Sequence, residues 1–192
     1  MGTNERRERE RKRRRDDILA SAWRVAERDG FSQFSLERVA SDAEVGRATI
    51  YSYFVSIDDL VAEMAAEALR YFRERLERAE SLEAALDVPV RLAQLKPAHF
   101  ELLFPQGRDA RPHMASKEIR AIQETARELI GRLGRVAERQ STALPEDARV
   151  RAALIAGISM ASATVPELKA STTLRHHFQE ICLRGHQKGE EP

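Results

Sequence analysis

The sequence lacks most of the features that announce an enzyme, a secreted protein or a membrane protein. It has one cysteine in 192 residues, so neither an internal disulfide nor a thiolate metal cluster can form within one chain. A reducing cytoplasm is therefore the expected location. No apolar run approaches the ~18 residues that cross a bilayer. The first fifteen residues are too charged for a signal peptide, which needs an apolar stretch after its basic start. There is no nucleophile-elbow motif, no phosphate-binding glycine loop and no His-x-x-x-His pair, so no catalytic residue and no cofactor is expected. Cys182 and His186 stand four apart, but without further ligands at suitable spacing no metal site is assigned. Runs of β-branched and aromatic residues with period-two alternation are also absent, which excludes a sheet protein.

Net charge is nearly absent as well: 32 basic residues meet 31 acidic ones, for +1. The sum conceals its distribution. Residues 1–15 carry eight basic and three acidic side chains, residues 16–55 carry four and seven, and residues 56–192 carry 20 and 21. All of the positive excess lies in one short N-terminal arm. Such an arm is expected to be disordered when free, although Glu5 with Arg9, Glu8 with Lys12 and Glu10 with Arg14 are spaced to extend a helix.

What is present is helix, almost from end to end. The first predicted helix begins within the arm and runs to about Arg28, with Ile18, Ala22, Trp23 and Val25 among its apolar stripe and Gly30 as its cap. Ser35 is the N-cap candidate of a second helix that turns Leu36, Val39, Ala40 and Ala43 inward. A break at Glu44-Val45-Gly46 precedes a third helix over Arg47–Phe54. Ser56 to Asp59 reads as a capping box opening a fourth helix that ends near Glu80. Further helices are expected over about Leu82–Leu95, Pro97–Phe104, Ser116–Arg139, Pro145–Val165 and Pro166–Arg184. No flexible linker separates residues 1–55 from the rest, so the N-terminal unit must pack directly on the fourth helix.

Two short helices joined by a tight turn, behind a longer helix and a basic arm, have the layout of a helix-turn-helix DNA reader. Such a reader needs a short second helix with one face buried and the other able to reach base edges. Ile50 and Phe54, four apart, suit the inner face. Arg47, Ala48, Tyr51 and Ser52 fall opposite. Arg47 has the donor geometry for guanine O6 and N7, and Ala48 or the Tyr51 ring suits a thymine methyl. The hydroxyls of Thr49, Tyr51, Tyr53 and Ser35 suit phosphate oxygens. Arg13, Arg14 and Arg15 are the arm residues expected nearest the DNA.

At these residues the chain resembles the tetracycline-repressor (TetR) family of bacterial regulators. The resemblance runs from Asp29-Gly30-Phe31 to Leu60 and is most specific in Thr49-Ile50-Tyr51-x-Tyr53-Phe54. It implies an all-α homodimer in which an N-terminal three-helix DNA-binding domain packs on a C-terminal ligand-binding and dimerisation domain. It further implies a pseudo-palindromic DNA operator and a small-molecule effector. The corresponding boundaries here are residues 1–15 for the arm, 16–55 for the helix-turn-helix and 56–192 for the remainder. The chain departs from the family pattern at three places: Glu44 replaces the usual turn glycine, Gly46 the usual capping serine and Ile57 the usual lysine. Glu44 in left-handed backbone would cost ~1 kcal/mol.

Beyond residue 60 the assignments are coarser. Phe72, Leu92, His99, Phe100, Leu103, Phe104, Met114, Ile122 and Met160 are candidates to line an effector pocket, with His99 and Glu101 as its polar groups. Trp23 reads as core. Ala153, Gly157 and Ala161 form a small-residue ridge at four-residue spacing, and with Leu174, Phe178 and Ile181 they are the candidate dimer interface. Two other readings remain open: a helix-turn-helix regulator without a small-molecule effector, and a helical interaction protein that has lost DNA reading.

Overall fold

A computed structural model describes residues 3–105, 116–137 and 157–184, and every regular element among them is helical. The helices are α1 (Thr3–Asp29), α2 (Leu36–Asp42), α3 (Arg47–Tyr51), α4 (Ile57–Glu77), α5 (Leu82–Leu95), α6 (Pro97–Leu103) and α7 (Lys117–Ala137). They continue with α8 (residues 157–164), α9 (Pro166–Ala170) and α10 (Thr172–Arg184). No described helix is long and apolar enough to cross a membrane.

The helix ends follow local chemistry. α1 stops at Gly30, whose φ of +72° takes the chain through left-handed backbone while its N–H reaches Ala26 O at 3.0 Å. Ser35, Ser56, Ser81 and Ser116 each accept a hydrogen bond from the N–H three residues on, opening α2, α4, α5 and α7. The expected box at α4 is shifted by one residue: the Asp59 carboxylate accepts from Val55 N–H rather than from that of Ser56. Pro97 occupies the first turn of α6, where a missing N–H costs nothing.

Three expectations are revised. The arm is not a disordered tail, because α1 is one helix from Thr3 onward. Alternating Glu and Arg supply the i,i+4 neighbours that support it. The third helix is shorter than expected; Ser52 caps it, and Tyr53 and Phe54 lie beyond its end. The single helix expected over Pro166–Arg184 is two, split at Ser171, whose backbone is extended. The Ser171 hydroxyl then accepts from Leu174 N–H, giving α10 its own cap.

One continuous apolar cluster joins the helix-turn-helix to the later helices. It takes Ile18, Ala22 and Val25 from α1, Val39 from α2, and Ile50 and Phe54 from the α3 region. It continues through Leu60, Met64 and Phe72 of α4 to Leu102, Leu103 and Phe104, and then to Ile119 and Ala126 of α7. α4 is the shared wall: it packs on α1 of the N-terminal unit and on α5, α6 and α7. Each fully buried large side chain contributes about 1.5–3 kcal/mol, so the two parts share much of their stabilisation.

Polar contacts reinforce this junction. Arg15 of α1 forms an ion pair with Glu63 of α4, and its guanidinium lies 4.7 Å from the Phe54 ring centre. The Trp23 indole N–H donates to Glu67 Oε2 at 3.1 Å. The Trp23 ring also stacks on His99 of α6 at 3.6 Å. Trp23 is therefore buried, as expected, but it also bridges α1 to both α4 and α6.

Candidate nucleic-acid interface

The helix-turn-helix is held in shape by a chain of ion pairs along its outer edge. Asp42 of α2 receives Arg24 at 2.8 Å and Arg28 at 3.0 Å, while Asp29 receives Arg28 and Arg38, each at 2.9 Å. The hydrogen bonds of Arg28 and then Arg38 hold the Asp29 carboxyl below the usual carboxylate range. For Asp42, desolvation acts in the opposite sense, but the bonds from Arg28 and Arg24 outweigh it. The network fixes α2 against the end of α1.

Between α2 and α3 the chain turns through Glu44, whose φ is +53°. Val45 N–H bonds back to Ala40 O at 3.0 Å, satisfying a carbonyl at the end of α2. The left-handed backbone anticipated at this position is present, with glutamate in a place that favours glycine. Gly46 then caps α3 with no side-chain hydrogen bond. A Cβ built there meets only the Thr49 hydroxyl, at 3.9 Å.

α3 separates its faces sharply. Ile50 and Phe54 are fully buried. Arg47, Ala48, Tyr51 and Ser52 are exposed, and Thr49 and Tyr53 are half-buried. The hydroxyl groups are partly engaged. Ser52 donates to Thr49 O at 2.6 Å, and Ser35, half-buried, uses its oxygen as the α2 cap. Arg47 lies 2.8 Å from Glu37 Oε1 of α2. Val55, just after α3, is 86% exposed and is a large apolar side chain that the sequence reading did not single out.

The arm residues divide. Arg13 and Arg14 are exposed, and with Arg7, Glu10, Arg11, Asp17 and Tyr53 they line a groove of about 580 Å³ beside the end of α3. The Arg11 guanidinium lies 6.0 Å from the Tyr53 ring centre. Arg15 faces the other way, into its pair with Glu63, and so links α1 to α4. Nothing in the local sequence distinguishes Arg15 from its neighbours; only the position of α4 does.

The effector-pocket candidates also divide. Phe72, Leu92, Phe100, Leu103 and Phe104 are buried, and Ile122 and Met160 are half-buried. Phe104 sits between Phe72, at 5.4 Å and edge-on, and Phe100, at 5.3 Å. Met114 lies outside the described residues. His99 is buried but belongs to the junction with Trp23, not to the phenylalanine group. Burial, with the nearby Lys96 ammonium, pulls its pKa down to about 4. His99, Lys96, Trp23, Arg24, Glu67 and Arg70 line a cleft of about 460 Å³ between α1, α4 and α6.

Of the interface candidates, Gly157 and Leu174 are exposed, while Ala161 and Phe178 are half-buried. A Cβ at Gly157 would meet nothing within 4 Å. The other faces of these helices point inward. Ser159 donates to Leu86 O at 3.2 Å, and Gln179 donates to the Ser162 hydroxyl at 3.3 Å. Arg175 pairs with Asp87 of α5 at 3.1 Å. Ala153 and the side chain of Ile181 lie outside the described residues. So does His186, leaving Cys182, half-buried, with no described neighbour from that pair.

A short third helix with one buried and one exposed face, set by a capped second helix and wedged onto an all-helical body, defines a helix-turn-helix protein of the two-domain, all-α kind. Residues 18–64 match the family model of bacterial regulatory proteins, tetR family. The chain is similar to the fatty acid metabolism regulator protein of Bacillus subtilis, 30% identical over 86 residues. That stretch is 45% of this chain and 43% of the relative, so the match spans less than half of the relative's length. In fold it is similar to the TetR family transcriptional regulator PfmR from Thermus thermophilus, with a TM-score of 0.63 and 20% identity. That alignment covers 91% of this chain and 98% of the other. It is also similar to AibR, crystallised with isovaleryl coenzyme A and operator DNA, with a TM-score of 0.59 and 18% identity. There the coverage is 78% of this chain and 85% of AibR.

Proposed function

We propose that this chain is a DNA-binding transcriptional regulator, acting in the cytoplasm as a ligand-responsive repressor and binding a pseudo-palindromic operator as a homodimer. The observation that carries the reading is the two-faced α3. Ile50 and Phe54 anchor it at zero exposure, and Arg47, Ala48, Tyr51 and Ser52 are exposed on the opposite side. The family match over residues 18–64 supports it. Arg47 reads a base edge; Tyr51, Thr49 and Tyr53 contact backbone or apolar base edges; Arg13 and Arg14 add phosphate contacts and salt dependence. In this reading the protein works by binding an operator and an effector.

Residues 56–192 form the effector-binding and dimerisation domain in this reading. The outward Gly157, Ala161, Leu174 and Phe178 meet their copies in a four-helix dimer contact. An effector near Phe72, Phe100 and Phe104 displaces α6. Because α6 touches α1 through His99 and Trp23, the displacement changes the separation of the two α3 helices. The effector acts only as far as it binds one arrangement better than the other. AibR holds an acyl-coenzyme A thioester together with operator DNA, which makes isovaleryl coenzyme A a sensible first probe.

The function is tested by selecting duplexes from a random-sequence library on the purified full chain. Enriched two-fold-symmetric sequences with half-sites about one helical turn apart support the reading. A library that stays unenriched overturns it.

A further inference from the structure

We propose that Glu37 is a specificity-determining residue: it holds Arg47 in the orientation in which that side chain reads a base edge. The inference rests on the DNA-reading function proposed above. Glu37 is the second residue of α2 and Arg47 the first of α3, so the two meet across the turn. Arg47 Nη2 lies 2.8 Å from Glu37 Oε1, and both side chains remain more than half exposed.

The other carboxylates on this edge are taken. Asp29 holds Arg28 and Arg38, and Asp42 holds Arg24 and Arg28. Its own backbone N–H, then the Ser35 hydroxyl and the Arg47 charge, hold the Glu37 carboxyl below the usual carboxylate range and hence ionised.

An exposed ion pair of this kind contributes little to stability. Its consequence is geometric. A guanidinium offers five donors in a planar fork. With Nη2 engaged by Glu37, the remaining edge of the fork is presented in a fixed direction away from α2. A guanine then meets a pre-oriented partner and not a long side chain spread over many rotamers. Glu37 also bars indiscriminate binding, because a carboxylate beside the reading helix repels phosphates that approach out of register.

The test uses the full chain and duplexes selected by the wild-type protein. Arg47→Ala first identifies the base pair that Arg47 reads, as the position whose preference collapses. Four duplexes that differ only there are then titrated with wild type, Glu37→Gln and Glu37→Ala. Both variants remove the same charge and with it the same repulsion of phosphates. Only the alanine variant also removes the hydrogen-bonding support.

The wild-type preference, roughly 5- to 150-fold for a bidentate contact, should shrink in Glu37→Gln and shrink further in Glu37→Ala. In an Arg47→Ala background, neither Glu37 variant should alter base preference. A preference equal to wild type in Glu37→Ala overturns the proposal while leaving the DNA-reading function intact. So does a change of preference that persists without Arg47. Failure to select any duplex overturns both. Unchanged thermal melts confirm that the variants are folded.

Discussion

The helix-turn-helix and the later helices treat polar side chains in opposite ways. Around α1–α3 the charged groups lie at the surface, as the chain Arg24, Asp42, Arg28, Asp29 and Arg38 and the Arg47–Glu37 pair. In α5 and α8–α10 one ion pair and three polar side chains are turned inward. Arg175, 4% exposed, is enclosed with Asp87, and Ser159, Ser162 and Gln179 are buried beside them. The first arrangement leaves a surface free to meet an acidic polymer, with apolar side chains alone supplying the anchor. The second uses polar groups to fix the register of helices whose small residues would otherwise slide. A surface network can be altered one pair at a time; a buried one fails when a single member is lost.

The largest effect should come from breaking the buried pair. Asp87→Ala strands the Arg175 guanidinium in the interior and should cost about 3–5 kcal/mol in denaturant unfolding. A loss below ~1 kcal/mol would place Arg175 in contact with water and dissolve the contrast. Next is Gly157→Asp. Nothing lies within 4 Å of the new Cβ, so the protomer should keep its helicity while the proposed dimer dissociates in sedimentation. An aspartate variant that still sediments as a dimer would remove this face from the interface.

The junction between the two regions sharpens the comparison through pH. Burial holds His99 neutral, with its pKa pulled from 6.5 to about 4. The unfolded chain binds this proton as pH falls below about 6.5, and the folded chain does so only near 4. Stability from this group is therefore present above that window, declines as pH drops through it and levels off below. His99→Phe keeps a ring on Trp23 without the titration, so its melting temperature should vary less between pH 7 and pH 4. An identical pH profile would show that His99 is solvated. The smallest effect belongs to the surface turn: Glu44→Gly relieves left-handed backbone and should stabilise by about 1 kcal/mol or less in thermal unfolding. Destabilisation would mean that the Glu44 side chain is held by something more valuable than the strain it brings.

The contrast also explains what could be read from the sequence. Positions governed by neighbours within about five residues were legible: the serine caps, Gly30, the Glu44 turn, and the inward Ile50 and Phe54. Helix existence was legible for the same reason, since periodicity is local. The break at Ser171 was missed because proline at 166 already explained a helix start. The arm was expected to be loose when free, because its charge outweighed its i,i+4 pairing. Contacts across the fold had no local signature. Arg15 resembles Arg13 and Arg14 until Glu63 is placed beside it. His99 looks like a partner of the phenylalanine group until Trp23 stacks on it. Arg175 and Asp87 are 88 residues apart. Glu37 meets Arg47 only through the geometry of the turn between α2 and α3.

The most direct measurement compares wild type with Arg47→Ala on duplexes selected by the wild-type chain. Base preference should be lost at one position in each half-site, and the remaining positions should keep theirs. Uniform weakening across all sequences would instead place Arg47 on phosphate, and would contradict α3 as the element that reads the bases.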